Sequence, residues 1–68
     1  MKTHGQVLLD EVRGSFTEIE IATICGVSQP IISRWLKGAR KPNYKNRKVL
    51  LAQFNIDMDA WDLPAERA

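Results

Sequence analysis

Between residues 34 and 48 the chain carries Arg34, Lys37, Arg40, Lys41, Lys45, Arg47 and Lys48 without a single acid, seven of its ten basic residues. Guanidinium and ammonium groups gathered in this way can hold a polyanion by charge-assisted hydrogen bonds. Just upstream stand Ser28, Gln29 and Ser33, whose hydroxyl and amide groups both donate and accept hydrogen bonds. The net charge of +2 conceals the concentration. The acids lie elsewhere, with Asp10, Glu11, Glu18 and Glu20 early and Asp57, Asp59, Asp62 and Glu66 near the end, so a polarised molecule is expected. A charge run alone is more often a solvated face, and its meaning depends on the elements that position it.

Other chemistries find little support. Cys25 is the only cysteine, so no internal disulfide can form, and its place on an inward helical face suits a small core residue. His4 is the only histidine and is expected in a frayed N-terminus. One cysteine and one histidine make no zinc site, and no nucleophile, base and orienting group occur at a recognisable spacing. Glycine-rich phosphate loops are missing, and 68 residues leave little room for a pocket of ordinary size. No enzymatic activity, cofactor, metal or small-molecule ligand is expected. Apolar residues make up 44% and recur periodically, which argues against disorder. No apolar run approaches the roughly 20 residues of a membrane span and no signal peptide is evident, so a cytoplasmic location is expected.

The positioning elements are legible around the charge run. Thr17 can cap a helix with its hydroxyl while Glu20 reaches back to the Thr17 amide, so a helix starts near Glu18 with Ile21, Ala22 and Cys25 inward and Ile24 on the flank. Gly26 can take the left-handed conformation that ends it, and Val27 plugs the corner. Ser28 is a preferred cap, Pro30 sits in a first turn that has no use for its N–H, and Ile31, Ile32, Trp35 and Leu36 recur at helical spacing until Gly38. Trp35 reads as core.

The remaining segments complete a bundle. Residues 4–13 form an expected first helix with Leu8, Leu9 and Val12 inward, ended by Gly14, and Phe16 stands at the staple position as a core residue. After Pro42, Asn43 caps a helix to about Phe54 with Leu50, Leu51 and Phe54 on one face and Asn55 as left-handed terminator. Asp57 caps a last short turn, Ile56 and Trp61 seal the core, and Pro64 stops the structure before a loose tail over 65–68. Residues 1–64 are thus expected to form one domain. A chain this short buries only about 60% of its unfolded surface, so it gains from a partner subunit or ligand.

Two helices hinged at one glycine match the helix-turn-helix unit at about 18–37. Counting from Glu18, Ala22 is fifth, Gly26 ninth, Ile32 fifteenth and Trp35 eighteenth, where that unit wants small, glycine, apolar and apolar residues. The chain resembles the lambda-repressor-like (Cro and repressor, or XRE-type) family of DNA-binding domains over residues 17–64. The phrase GVSQPIISRWLKGARKP is similar to that family's recognition helix and following loop, and FNIDMDAWDLP to its closing segment. The resemblance implies an all-α, compact five-helix fold and a recognition helix at 29–37 that enters the major groove of double-stranded DNA.

Carried over residue by residue, it places Ser28, Gln29, Pro30, Ser33 and Arg34 at base edges, with Gln29 and Arg34 as the best readers, and Lys37 on the same outward face. A glutamine amide matches adenine, and an arginine fork matches guanine. Pro30 departs from the hydrogen-bonding residue often found there, can offer only an apolar contact, and disfavours a helical Gln29, so the cap is free to shift from Ser28. Glu18 departs too, since a carboxylate repels phosphate, and its backbone role passes to Thr17 and to amides at the helix start. Lys37, Arg40, Lys41, Asn43, Tyr44 and Lys45 complete the phosphate contacts.

The expected function is a sequence-specific transcriptional regulator, a small phage or prophage Cro-type repressor. It is expected to act as a homodimer at least on DNA, on an inverted-repeat operator, with Val49, Met58, Trp61 and Leu63 as candidate dimer contacts. Two alternatives are an antitoxin-like or other protein-binding module, working through its acidic end, and a DNA-packaging or recombination accessory.

Overall fold

The computed structural model describes residues 2–65. Four α-helices follow in order: α1 (His4–Val12), α2 (Glu18–Cys25), α3 (Gln29–Lys37) and α4 (Tyr44–Phe54). A 3-10 turn, Met58–Asp62, closes the fold. The expected five-helix count is therefore corrected to four among the described residues. Asp57 caps the last segment through its carboxylate, and Leu63, in front of Pro64, is forced into extended backbone after only five residues.

The N-terminus is tied down rather than frayed. Thr3 and Gln6 form a capping box for α1, with the Gln6 amide donating to Thr3 Oγ1 at 3.2 Å and the Thr3 amide donating to Gln6 Oε1 at 2.8 Å. The His4 amide donates to Leu63 O at 2.7 Å, and the Ala65 amide to Lys2 O at 3.0 Å. Residues 2–4 thus pair with residues 63–65, and of the loose tail expected over 65–68, residues 66–68 lie outside the described residues. Gly14 does not end α1 through a left-handed turn. Arg13 caps the helix in right-handed geometry, and the amides of Gly14, Ser15 and Phe16 unwind onto Glu11 and Val12 carbonyls at 3.0 Å.

One core joins these elements: Leu9, Ile21, Ala22, Cys25, Ile32, Trp35, Leu50, Ile56, Ala60 and Trp61 are all buried. Trp35 and Trp61 meet at its centre, rings tilted at 60° with centroids 6.5 Å apart. Trp61 is 1% exposed, which corrects its expected place at a dimer contact; the indole is wedged between Trp35 and the backbone of Gly5. Two other expected core residues look outward. Phe16 is 37% exposed and packs edge-on against Phe54 at 5.6 Å, and Leu51 is 41% exposed beside the fully buried Leu50.

Two glycines are constrained for different reasons. A Cβ at Gly5 would overlap the Trp61 ring, whereas Gly26 has open space but a φ of 71°. Gly5→Ala should destabilise by about 1–3 kcal/mol through overpacking, in spite of the roughly 1 kcal/mol that alanine gains over glycine within a helix. Gly26→Ala should cost about 1–2 kcal/mol, the strain of one left-handed residue. Urea unfolding measures both, and a Gly5→Ala protein as stable as the wild type would remove Trp61 from its seat.

Candidate nucleic-acid interface

The α2–α3 hinge is built from local rules. Thr17 Oγ1 accepts the Glu20 amide at 3.1 Å, and the Thr17 amide donates to Glu20 Oε1 at 2.8 Å, which fixes the start of α2. Gly26 turns left-handed at its end, and the Val27 amide reaches back to Ala22 O at 3.0 Å. Ser28 remains the cap of α3, at φ −81° and ψ 157°, so the shift that Pro30 left open does not occur. Pro30 falls in the first turn, where an N–H has no intrahelical partner, and the Ser28 carbonyl accepts from Ile31 and Ile32 at 3.1 and 3.4 Å.

The far end of α3 is fixed by a contact that spacing does not reveal. Gln6 Nε2 donates to Leu36 O at 3.1 Å, across thirty residues of sequence. Gly38 then turns left-handed at φ 79°, directly beside the Gln6 carboxamide, where a Cβ would press on it at 2.8 Å. α3 is thereby clamped at both ends, with Ile32 and Trp35 inward.

The opposite face carries the expected base readers. Ser28, Gln29, Pro30 and Arg34 are exposed and Ser33 is half-buried, while Lys37 is exposed on the same side. Ser28 makes no side-chain capping bond, so its hydroxyl stays available. Gln29 is not free-standing: its Nε2 lies 3.5 Å from Glu18 Oε1, and Glu18 Oε2 lies 3.7 Å from Arg13 Nε. Sequence reading missed this linkage, because it treated Glu18 only as a charge facing phosphate.

The expected backbone contacts divide by how they are held. Lys37, Arg40 and Lys45 are exposed and, among the described residues, make no ion pair. Lys41 Nζ lies 3.0 Å from Asp62 Oδ1, an exposed pair of the kind worth little in water, so Lys41 can exchange the carboxylate for a phosphate. Arg47 is different. Only 19% of its side chain is exposed, and it donates to Pro42 O, Met58 O and Asp62, holding the α3–α4 loop to the closing turn. The Arg47 and Lys41 hydrogen bonds hold the Asp62 carboxyl below its ordinary range. Lys48 lies over the Tyr44 ring at 5.5 Å, and Tyr44 itself is 69% exposed. The seven-cation run is thus not one continuous interface.

Asn43 Oδ1 accepts the Asn46 amide at 2.9 Å and caps α4, which leaves its NH2 free. With Ile31, Trp35, Arg40, Lys41 and Asn46 it lines a hollow of about 180 Å³ between α3 and the start of α4. A phosphate there would meet cations, amide donors and the positive end of a helix. Thr17, at the opposite edge, keeps a hydroxyl proton to donate once its oxygen has accepted the Glu20 amide.

Of the expected dimer contacts, Leu63 is 49% exposed, Met58 is half-buried and Val49 packs partly against the core. The most exposed large aliphatic side chain is Ile19, at 65%, on the outer side of α2 near Phe16 and Ile24. Nothing in its local spacing marked it. Cys25 is buried, and burial pushes its thiol pKa up.

No helix among the described residues is long and apolar enough to cross a membrane. The family model described as Helix-turn-helix matches residues 13–61, from the end of α1 through the closing turn. No curated protein and no solved structure matches. With the hinge, the exposed face of α3 and the flanking cations in place, the family match settles the class: the chain belongs to the lambda-repressor-like, XRE-type helix-turn-helix family of domains that bind double-stranded DNA.

Proposed function

We propose that this protein is a sequence-specific transcriptional regulator, a small Cro-type repressor of phage or prophage origin acting in the cytoplasm. In this reading α3 lies in the major groove with Gln29 and Arg34 as readers. Ser28, Pro30 and Ser33 fill in around them, and Pro30 offers an apolar surface to a thymine methyl. Thr17, Lys37, Arg40, Lys41, Asn43, Tyr44 and Lys45 grip phosphates on either side. The observation that carries the reading is the clamped α3: its outward face bears hydrogen-bonding and cationic side chains, and Lys37, Arg40 and Lys45 on its flanks make no ion pair among the described residues. Selection from randomised duplex DNA tests it. A sharp motif supports the regulator, and no motif supports a protein-binding module instead.

Affinity should fall steeply with salt, because each neutralised phosphate contributes about 0.9 to the log-log slope. Replacing Arg40 and Lys41 together by alanine should flatten the slope by about 0.9 per lost contact and weaken all DNA sequences alike. An unchanged slope would take the α3–α4 loop out of the interface.

Gln29→Ala and Arg34→Ala should each relax preference at one or two base pairs, by about 1–3 kcal/mol per lost bidentate contact. Both side chains are exposed, so thermal stability should stay near wild type. A variant that retains the wild-type base preference identifies a residue that is not a reader.

One recognition helix spans few base pairs, so specificity calls for a two-fold dimer on an inverted repeat with half-sites about one helical turn apart. Leu63, with Met58 and Val49, is the proposed contact. Leu63→Glu should leave half-site binding intact and abolish paired loading in footprinting. A single asymmetric footprint by the wild type, with one protein per duplex at saturation, would exclude the dimer.

A further inference from the structure

Glu18 stands where a negative charge looks out of place, close to the phosphates of a DNA-binding surface. Its surroundings give it a task. The carboxylate lies between two partners, with Oε2 3.7 Å from Arg13 Nε and Oε1 3.5 Å from Gln29 Nε2. Arg13 is held from its other side by Asp10, 3.1 Å away, and the Glu18 side chain is only 25% exposed. The three side chains line one hollow beside the start of α3.

We propose that Glu18, held by Arg13, fixes the polarity of the Gln29 amide and so makes Gln29 a reader that accepts adenine and rejects guanine. The inference rests on the reading of α3 as the recognition helix. A carboxylate only accepts hydrogen bonds, whereas an amide has one accepting and one donating end. With the Gln29 NH2 turned to Glu18, a flip would bring the amide oxygen against a negative charge, so the carbonyl must face the groove. One N–H of the NH2 group is taken by Glu18, and the other remains for DNA. That combination, an outward acceptor beside a donor, matches the N6 amine and N7 of adenine. Guanine offers two acceptors, O6 and N7, and would set its O6 against the Gln29 oxygen. Glutamine at position 18 would remove the constraint, because its own amide can turn to donate or to accept and satisfies Gln29 in either orientation. Arg13 offsets the charge that would otherwise draw the Glu18 side chain into water. Glu18 is a positioning residue here, acting on base choice through Gln29 without touching the base.

The test is duplex selection followed by competition binding of sites that differ only in adenine or guanine at the base pair Gln29 reads, located by Gln29→Ala. Wild type should prefer adenine at that pair. Glu18→Gln should lose about tenfold or more of that preference, the scale of one bidentate contact, while its overall affinity rises because a repulsive charge is gone. A merely structural lesion would lower affinity and leave the preference in place. In the Gln29→Ala background Glu18→Gln should change overall affinity only. Arg13→Met, which leaves α2 untouched, should also weaken the preference for adenine. A clear wild-type motif whose adenine preference survives both Glu18→Gln and Arg13→Met would overturn the inference and leave the DNA-binding reading standing. Absence of any wild-type motif would overturn both.

Discussion

The Gln6 carboxamide is the joint on which the geometry of α3 depends. Its oxygen accepts the Thr3 amide and completes the cap of α1, and its nitrogen donates to the Leu36 carbonyl at the end of α3. It is 5% exposed, and a buried amide is costly unless both ends are engaged. Its neighbours are constrained in turn. Gly38 has to lack a side chain because Gln6 occupies that space, and Gly5, one residue before Gln6, has to lack one because Trp61 does. A single polar contact therefore sets where α3 ends, and with it where the Arg40–Lys41 loop begins. The aromatic pair beneath it, Trp35 and Trp61, supplies the area that makes the arrangement stable.

Charge is distributed in two classes that a count of basic residues merges. Arg47 belongs to the fold: it is mostly buried, bonds two carbonyls and a carboxylate, and freeing it for DNA would break the α4 side of the loop. Lys41 shares the same carboxylate but lies on the surface, where such a pair forms and dissolves at little cost. Asp62 thus works as a counter-ion that one cation keeps and the other can leave. Lys37, Arg40 and Lys45, which make no ion pair among the described residues, need no exchange.

What was legible in the sequence was local. The Thr17–Glu20 box, the left-handed Gly26 and Asn55 and the Asn43 cap all rest on interactions within four or five residues, and each stands where spacing placed it, as do the bounds of α3 between Ser28 and Gly38. Thr3 and Gln6 carry the same capping signal, yet it was overlooked because the first residues were expected to fray. Phe16 and Leu51 were misjudged for another reason. Which of two adjacent apolar residues turns inward depends on where the neighbouring helices lie, and Leu50 and Leu51, one position apart, are 0% and 41% exposed. The fifth helix failed because a cap and a proline seven residues apart leave room for one tight turn only.

The candidate site divides along the same line. The exposed α3 residues proposed as readers follow from helical periodicity, but the Arg13, Glu18 and Gln29 linkage joins three elements and is invisible to spacing. It also changes the meaning of an acid near DNA. A carboxylate beside the readers lowers affinity for every sequence about equally, since phosphate repulsion does not depend on the bases. Its hydrogen bond to Gln29, in the proposed reading, would by contrast act on one base pair. Affinity that is lost uniformly and discrimination that is gained locally combine into a higher ratio of specific to non-specific binding, which is the quantity that matters against a genome of competing sites. In that reading the acid is no defect in a basic surface: it would trade strength of binding, which the cations of the α3–α4 loop could supply, for selectivity, which they could not.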